Sequence, residues 1–409
     1  MTNLLWPGEH RAGSLMTDSA ILRAMVAVET AWLHALAAHD LAPKQLVEID
    51  LQEMLSADAC ARLAVSAEAC GNPVIELVGL LREQAPEHAR RWIHRGLTSQ
   101  DVIDTSLIMS VRAVITELQG HLLQQVSVLA TLADKHRNTP MVARTLTQHA
   151  IPTTFGVKVS VWLGGLLDAY RRLNTASTPV QIGGAAGTLA ATAELATLRA
   201  IPGDAAAIAL DLVHDVADAL GLSFSSPWHT SRSVVTEAAD AFAGCTDAWG
   251  RIAADLVTLS RPEIGEVSEL MSAGRGRSST MPQKQNPVLS ILIRRAAIAS
   301  PALAATLHTS AALANDERPD GAWHAEWDTL RTLARRTLVA GSQCTELLRD
   351  IQVDPTRMAE HLADDGVLAE QHSIAEMVGM PPSASYRGAA DRVIDEAVDR
   401  VQHLLKDKS

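Results

Sequence analysis

Long stretches of helical hydrophobic period with few breakers constrain this chain more than any other feature. Between about Thr98 and Leu348 the candidates are Asp101 to Leu118, Pro152 to Leu173, Thr230 to Leu259 and Pro287 to Asn315. In the second of these, Phe155, Val159, Trp162, Leu163, Leu166 and Tyr170 fall on one stripe, the spacing of a helix that buries one face. The residue supply agrees. Of 409 residues 47% are apolar and only 3% aromatic, and the apolar mass is mostly Ala, Leu and Val, of which Ala and Leu lose little on entering a helix. Helices of this length cannot each bury a face alone, so they imply an all-α bundle. Small residues on several sides of Ala185 to Ala200 and Ala296 to Ala314 imply packing across subunits.

The length suggests more than one domain. Residues 1–97 read as an N-terminal helical domain that opens with Thr17-Asp18-Ser19 as a helix start, followed by Leu22, Met25, Trp32, Leu33 and Leu36 at helical spacing. Breaks near Pro43, Gly71-Asn72-Pro73 and Pro86 divide it. Residues 98–349 form the long-helix domain, and residues 350–409 a short C-terminal helical domain that Asp354-Pro355 opens. A net charge of −12 argues against nucleic acid as a partner, which needs a basic footprint, but not against a small anionic substrate. Cys60, Cys70, Cys245 and Cys344 form no CxxC pair and no zinc spacing, so they are expected to be buried reduced thiols of a cytoplasmic protein. No basic-then-apolar leader and no run of eighteen apolar residues is seen, so neither secretion nor a membrane is expected.

Polar, glycine-bearing breaks carry the chemistry. The segment from Met271 to Pro287 holds Arg275, Arg277 and Lys284 beside Ser278, Ser279 and Asn286, a locally basic loop in an acidic chain. By composition alone this is ordinary surface-loop material. Its core, Ser278-Ser279-Thr280-Met281-Pro282-Gln283-Lys284-Gln285-Asn286-Pro287, resembles the GSSxMPxKxNP pattern of the fumarase/aspartase superfamily, with Arg277 where the pattern has glycine. The segment His94 to Thr105 resembles the TSxDVxDT block of the adenylosuccinate lyase branch. Arg144 to Gly156 resembles that branch's RTHGxHAxPTTFG, but with Leu146 at the position of the histidine that protonates an amine leaving group. Leucine cannot do so. A carboxylate leaving group, with a pKa of about 4, departs without an acid.

The 3-carboxy-cis,cis-muconate cycloisomerases of the superfamily have such chemistry and also lack that histidine. The resemblance to them covers most of the chain, including Gly71 to Ile75, Gln181 to Leu189, Pro227-Trp228-His229-Thr230 and Trp323-His324-Ala325-Glu326-Trp327. It implies three helical domains, a homotetramer whose sites draw on more than one subunit, and no metal or organic cofactor. It also implies a di- or tricarboxylate substrate of aromatic catabolism. By resemblance Ser278 moves the carbon-bound proton. His94 is a second catalytic residue, and Thr98, Ser99, Gln148, His149, Lys284, Asn286 and Arg277 hold substrate. His149 reads equally well as a packing histidine. Ser233 and Gln285 depart from the pattern and keep open a β-elimination lyase whose leaving group is a stable anion such as nitrite. A non-catalytic relative is the third reading.

Overall fold

The computed structural model describes residues 3–270, 275–276, 280–281, 284–363 and 365–406. It is mostly helical with a few short strands, as the composition requires. Two compact units form, each from three stretches of chain. The first comprises Met1–Thr116, Ala176–Asp240 and Ala302–Arg335; the second comprises Glu117–Thr175, Ala241–Pro301 and Arg336–Ser409. Four long helices, Ser99–Lys135, Ser233–Leu259, Val288–Ala312 and Gly321–Arg349, contribute residues to both.

In the first unit the Asp18–Ala38 helix starts where the sequence places it, with the Thr17 hydroxyl accepting from the Ala20 N–H. Its expected stripe is buried: Leu22, Met25, Trp32, Leu33 and Leu36 are all under a tenth exposed. This helix and Val288–Ala312 are long and apolar enough to cross a bilayer, a test that core helices of globular chains also pass.

The deepest polar feature of this unit is Arg232. Its Nη1 and Nη2 donate to the two carboxylate oxygens of Asp104 at 2.7 and 3.1 Å, while Nε and Nη2 donate to Glu326 at 3.1 and 2.5 Å. All three side chains are buried. Trp323 Nε1 donates to Asp104 Oδ1 at 2.9 Å, and the guanidinium lies 4.8 Å from the Trp228 ring centroid. Burial alone would lower the Arg232 pKa, but the two carboxylates hold it above its ordinary value. Burial raises the Glu326 carboxyl, against the pull of Arg232.

In the second unit, β1 (Pro140–Thr145) and β2 (Gln148–Thr154) form an antiparallel hairpin. β2 runs into the Phe155–Thr175 helix, so the helix expected from Pro152 begins three residues later. Pro152 and its neighbours pair instead with Val142 and Met141, a hairpin that an all-α reading omits. The stripe Phe155, Val159, Trp162, Leu163, Leu166 and Tyr170 is buried as expected. The expected Asp101–Leu118 helix continues to Lys135, because the single Gly120 is too small a penalty to end a run otherwise rich in helix formers. β3 (Val267–Glu269) pairs antiparallel with β4 (Ile351–Val353). The thiols need a correction: Cys245 and Cys344 are buried, which raises their pKa, but Cys60 is only half-buried and Cys70 is exposed. Cys70 is the last residue of the Ala59–Cys70 helix, of which only Ala59 and Leu63 are buried.

The Arg232 cluster generates a stability prediction. Replacing Arg232 with Met leaves two buried carboxylates without a counter-charge, and is expected to cost about 3–5 kcal/mol in urea unfolding. The double variant Asp104→Asn/Arg232→Met should recover part of that loss. A loss under 1 kcal/mol in the single variant would show that the cluster does not hold the unit.

Candidate functional site

The residues singled out in the sequence fall into both units, and each group has its own supports. In the first unit the loop His94-Arg95-Gly96-Leu97-Thr98 leads into the Ser99–Lys135 helix. Thr98 stands at the helix N-cap. The carboxylate of Asp101, third in the helix, reaches back to the Thr98 N–H at 3.0 Å, in the manner of a capping box. The Thr98 hydroxyl does not cap the helix. It accepts a hydrogen bond from the guanidinium of Arg318 at 2.5 Å. The Arg318 Nε is buried and has no acceptor among the described residues. A hydroxyl, a guanidinium with an unused donor and a helix N-terminus therefore converge at Thr98 and Ser99, a combination that favours an anion.

Asp101 is fully buried and gathers the surrounding loops. Besides Thr98, its oxygens accept from the N–H groups of Gly183 and Gly184 at 2.9 and 3.0 Å, and lie 3.2 Å from His229 Nε2. Gln181 in turn accepts from the Trp228 N–H at 2.6 Å. The blocks His94–Thr105, Gln181–Leu189 and Pro227–Thr230, far apart in sequence, thus meet around one carboxylate.

His94 sits at φ 62°, and Gly96 follows at φ 92°. A Cβ on Gly96 would lie 2.8 Å from Thr192 Oγ1, so only glycine fits this turn. His94 Nδ1 lies 2.6 Å from Glu29 Oε1, and Glu29 is fully buried with its other oxygen unpartnered among the described residues. A buried carboxylate on one ring nitrogen fixes the orientation of the imidazole and leaves the other nitrogen for chemistry. Glu29 went unread in the sequence. Its signal is a carboxylate on the apolar stripe of the Asp18–Ala38 helix, between Val26 and Leu33. Arg318 was also missed, since it lies in a polar break with no pattern of its own.

In the second unit the hairpin pairs Arg144 with His149 and Thr145 with Gln148, so Leu146-Thr147 is a two-residue turn. Both residues have positive φ, 48° and 74°. Such turns favour Asn-Gly, and a leucine followed by a β-branched residue carries strain of about 1–3 kcal/mol per residue. Leu146 is 96% exposed, so no packing within the chain explains its choice. Gln148 and His149 are exposed, and Gln148 Nε2 donates to Thr147 Oγ1 at 3.1 Å. Arg144 makes a two-pronged ion pair with buried Glu266 at 2.7 and 3.0 Å, and His361 Nδ1 lies 2.6 Å from the same carboxylate. A cavity of about 590 Å³ collects Arg144, Thr147, His149, Lys158, Arg261 and His361.

Of the loop residues, Ser278 and Arg277 lie outside the described residues. Lys284 is exposed. Asn286 donates from both its backbone N–H and its Nδ2 to the Gly276 carbonyl, at 3.0 and 3.1 Å. Gly276 has φ 72°, and a Cβ there would meet Asn286 O at 2.7 Å. Asn286 therefore closes the loop base and keeps only its Oδ1 free of that task. Arg275 is ion-paired to Glu346. Glu269 caps the next helix, accepting from the N–H groups of Leu289 and Ser290 at 3.1 and 2.8 Å.

The strained turn gives a direct test. The variant Leu146→Asn/Thr147→Gly is expected to raise the unfolding free energy in urea by about 1–2 kcal/mol, the strain released. Unchanged or lower stability would show that the turn is not strained in the folded chain.

Residues 19–299 match the model of the lyase family Lyase_1. Nitrosuccinate lyase from Streptomyces davaonensis is 40% identical over 402 residues, 96% of this chain and 83% of that one. A 3-carboxy-cis,cis-muconate cycloisomerase from Bradyrhizobium diazoefficiens is 36% identical over 399 residues, 95% of this chain and 85% of its own length. The crystal structure of 3-carboxy-cis,cis-muconate lactonizing enzyme from Pseudomonas putida superposes with a TM-score of 0.79 at 30% identity, covering 97% of this chain and 86% of that one. The family match, the relatives and the fold agree: the chain belongs to the lyase family of the fumarase/aspartase superfamily, and is an enzyme of that superfamily.

Proposed function

We propose that this enzyme moves a proton at the carbon beside a carboxylate while an oxyanion that needs no acid adds or departs, and that its reaction is the cycloisomerisation of 3-carboxy-cis,cis-muconate. The observation that carries this reading is Leu146. It occupies the tip of the hairpin, almost fully exposed, where lyases with a basic leaving group have an acid histidine. Ring closure by a substrate carboxylate delivers one proton to carbon and removes none from the nucleophile, so the tip has no proton to handle.

In this reading Ser278 exchanges the carbon-bound proton. Its alkoxide requires stabilisation by N–H donors and local positive charge. Thr98, Ser99 and the orphaned donor of Arg318 take one substrate carboxylate. Lys284 takes another, with Gln148, Asn286 and Arg277 beside it. His94, held by Glu29, supplies or orients a proton, and His149 faces the substrate from the hairpin. Different copies contribute these groups in a cytoplasmic homotetramer. Exposed Val161, Ile291 and Ile298 on long helices support helix packing between copies. Residues 1–97, 98–349 and 350–409 are its three helical domains.

A second reading keeps the machinery and changes the substrate to nitrosuccinate, giving fumarate and nitrite. The 40% identity with the Streptomyces davaonensis lyase and Gln285, which removes a cation from the loop, favour it.

Incubation of the purified chain with each substrate separates the two, followed by loss of muconate absorbance or by fumarate formation. Turnover of neither overturns the proposal. Ser278→Ala is expected to lower kcat by at least about 10³-fold; unchanged turnover would remove the assigned base. Arg318→Met is expected to raise KM about 10- to 100-fold with a smaller effect on kcat, because it binds a carboxylate that does not react. An equal fall in kcat and kcat/KM would place Arg318 at the reacting centre instead.

A further inference from the structure

Immediately before the Thr98 loop the chain is locally basic: Arg82, Arg90, Arg91 and Arg95 lie in a stretch whose only carboxylates are Glu83 and Glu87, within a chain of net charge −12. In the first unit Arg91 and Arg95 meet Arg199, the residue that closes the Ala190–Leu198 helix. The meeting point is Trp92, whose ring is buried, and the guanidinium carbons of Arg91 and Arg199 lie 5.4 and 5.1 Å from its centroid. Arg95 is held differently. Its Nε and Nη2 both donate to the Arg91 carbonyl, at 3.2 and 3.1 Å, and its own carbonyl accepts from Trp32 Nε1 at 2.7 Å. Together with Trp92 and Leu195 the three arginines line an open pocket of about 310 Å³.

None of these arginines has an ion-pair partner among the described residues. Arg62, Arg137, Arg331 and Arg387 each hold an acid, whereas these three, gathered around one tryptophan, do not. Like charges gathered without counter-ions repel, and in an acidic protein a carboxylate is the cheap remedy. Here the guanidiniums are instead held in place by an aromatic face and a carbonyl, neither of which neutralises them. The three guanidiniums are exposed, and these contacts leave most of their N–H donors for an anion.

We propose that Arg91, Arg95 and Arg199 form a binding site for a small multivalent oxyanion, distinct from the Thr98–Arg318 group. Phosphate esters and polycarboxylates share the required chemistry: several oxygens able to take paired guanidinium N–H bonds. The pocket stands whether or not the catalytic reading does.

The test is calorimetric titration of the full chain at low ionic strength, with inorganic phosphate in one arm and citrate in the other. Wild-type protein should saturate at this site, and Arg199→Gln and Arg95→Gln should each weaken that binding at least tenfold, while Arg318→Met leaves it unchanged. Tighter phosphate points to a phosphorylated ligand and tighter citrate to a polycarboxylate; either supports the site. Failure of the wild type to saturate with both anions overturns it, as does binding lost in Arg318→Met but kept in Arg199→Gln. Saturation by a polyglutamate peptide alone would also overturn it, because the surface would then serve an acidic segment. Circular dichroism checks that the variants are folded, and Arg199→Lys, which keeps the charge, should retain part of the affinity.

Discussion

A guanidinium buried between two carboxylates organises the first unit. Arg232 stands just ahead of the Ser233–Leu259 helix, Asp104 lies in the Ser99–Lys135 helix and Glu326 in Gly321–Arg349, so one side chain fixes three long helices against each other. Taking such charges out of water costs several kcal/mol per ion, and attraction offsets this only when nearly every donor is met. Here Nε, Nη1 and Nη2 all are. The tolerance is correspondingly narrow. A helix displaced by an ångström would strand a charge, so the cluster sets position more than it adds stability.

That constraint reaches the candidate site through Asp101, one helical turn before Asp104. With the helix fixed, the Asp101 carboxylate falls where the Gly183 and Gly184 N–H groups and His229 can meet it, and where it can hold the Thr98 N–H. The division of labour at Thr98 follows. Asp101 ties down the backbone of the N-cap, which frees the hydroxyl for Arg318. A threonine used as an ordinary cap would have spent that oxygen on the helix.

The fold was legible because its signal is periodic. Stripes such as Phe155 to Tyr170 repeat often enough to outweigh any single misleading residue. The hairpin was not, because β1 and β2 are short, irregular at a bulge and followed at once by a helix, so Pro152 read as a helix start. At the site, the motif residues were legible as types in order, but their partners were not. Glu29 acts on a residue 65 positions away, and Arg318 on one 220 away. Pairings of that separation leave no trace in local pattern. A carboxylate on an apolar stripe is the one hint that sequence offered, and it says only that some partner exists.

The hairpin tip shows how an apparent defect can carry information. Leu146 and Thr147 occupy a turn whose backbone favours Asn-Gly, so local energetics argue against both residues. Packing within the chain cannot be the compensation, because Leu146 is almost wholly exposed. Strain of this kind persists when the surrounding structure over-determines it, and here the hairpin register does so. A leucine at that point excludes proton donation and lowers local polarity. Both suit a substrate whose departing or attacking group is already a stable anion, because a carboxylate with a pKa of about 4 gains nothing from an acid placed there. The side chain that looks wrong for the turn is therefore the one that fits the proposed chemistry.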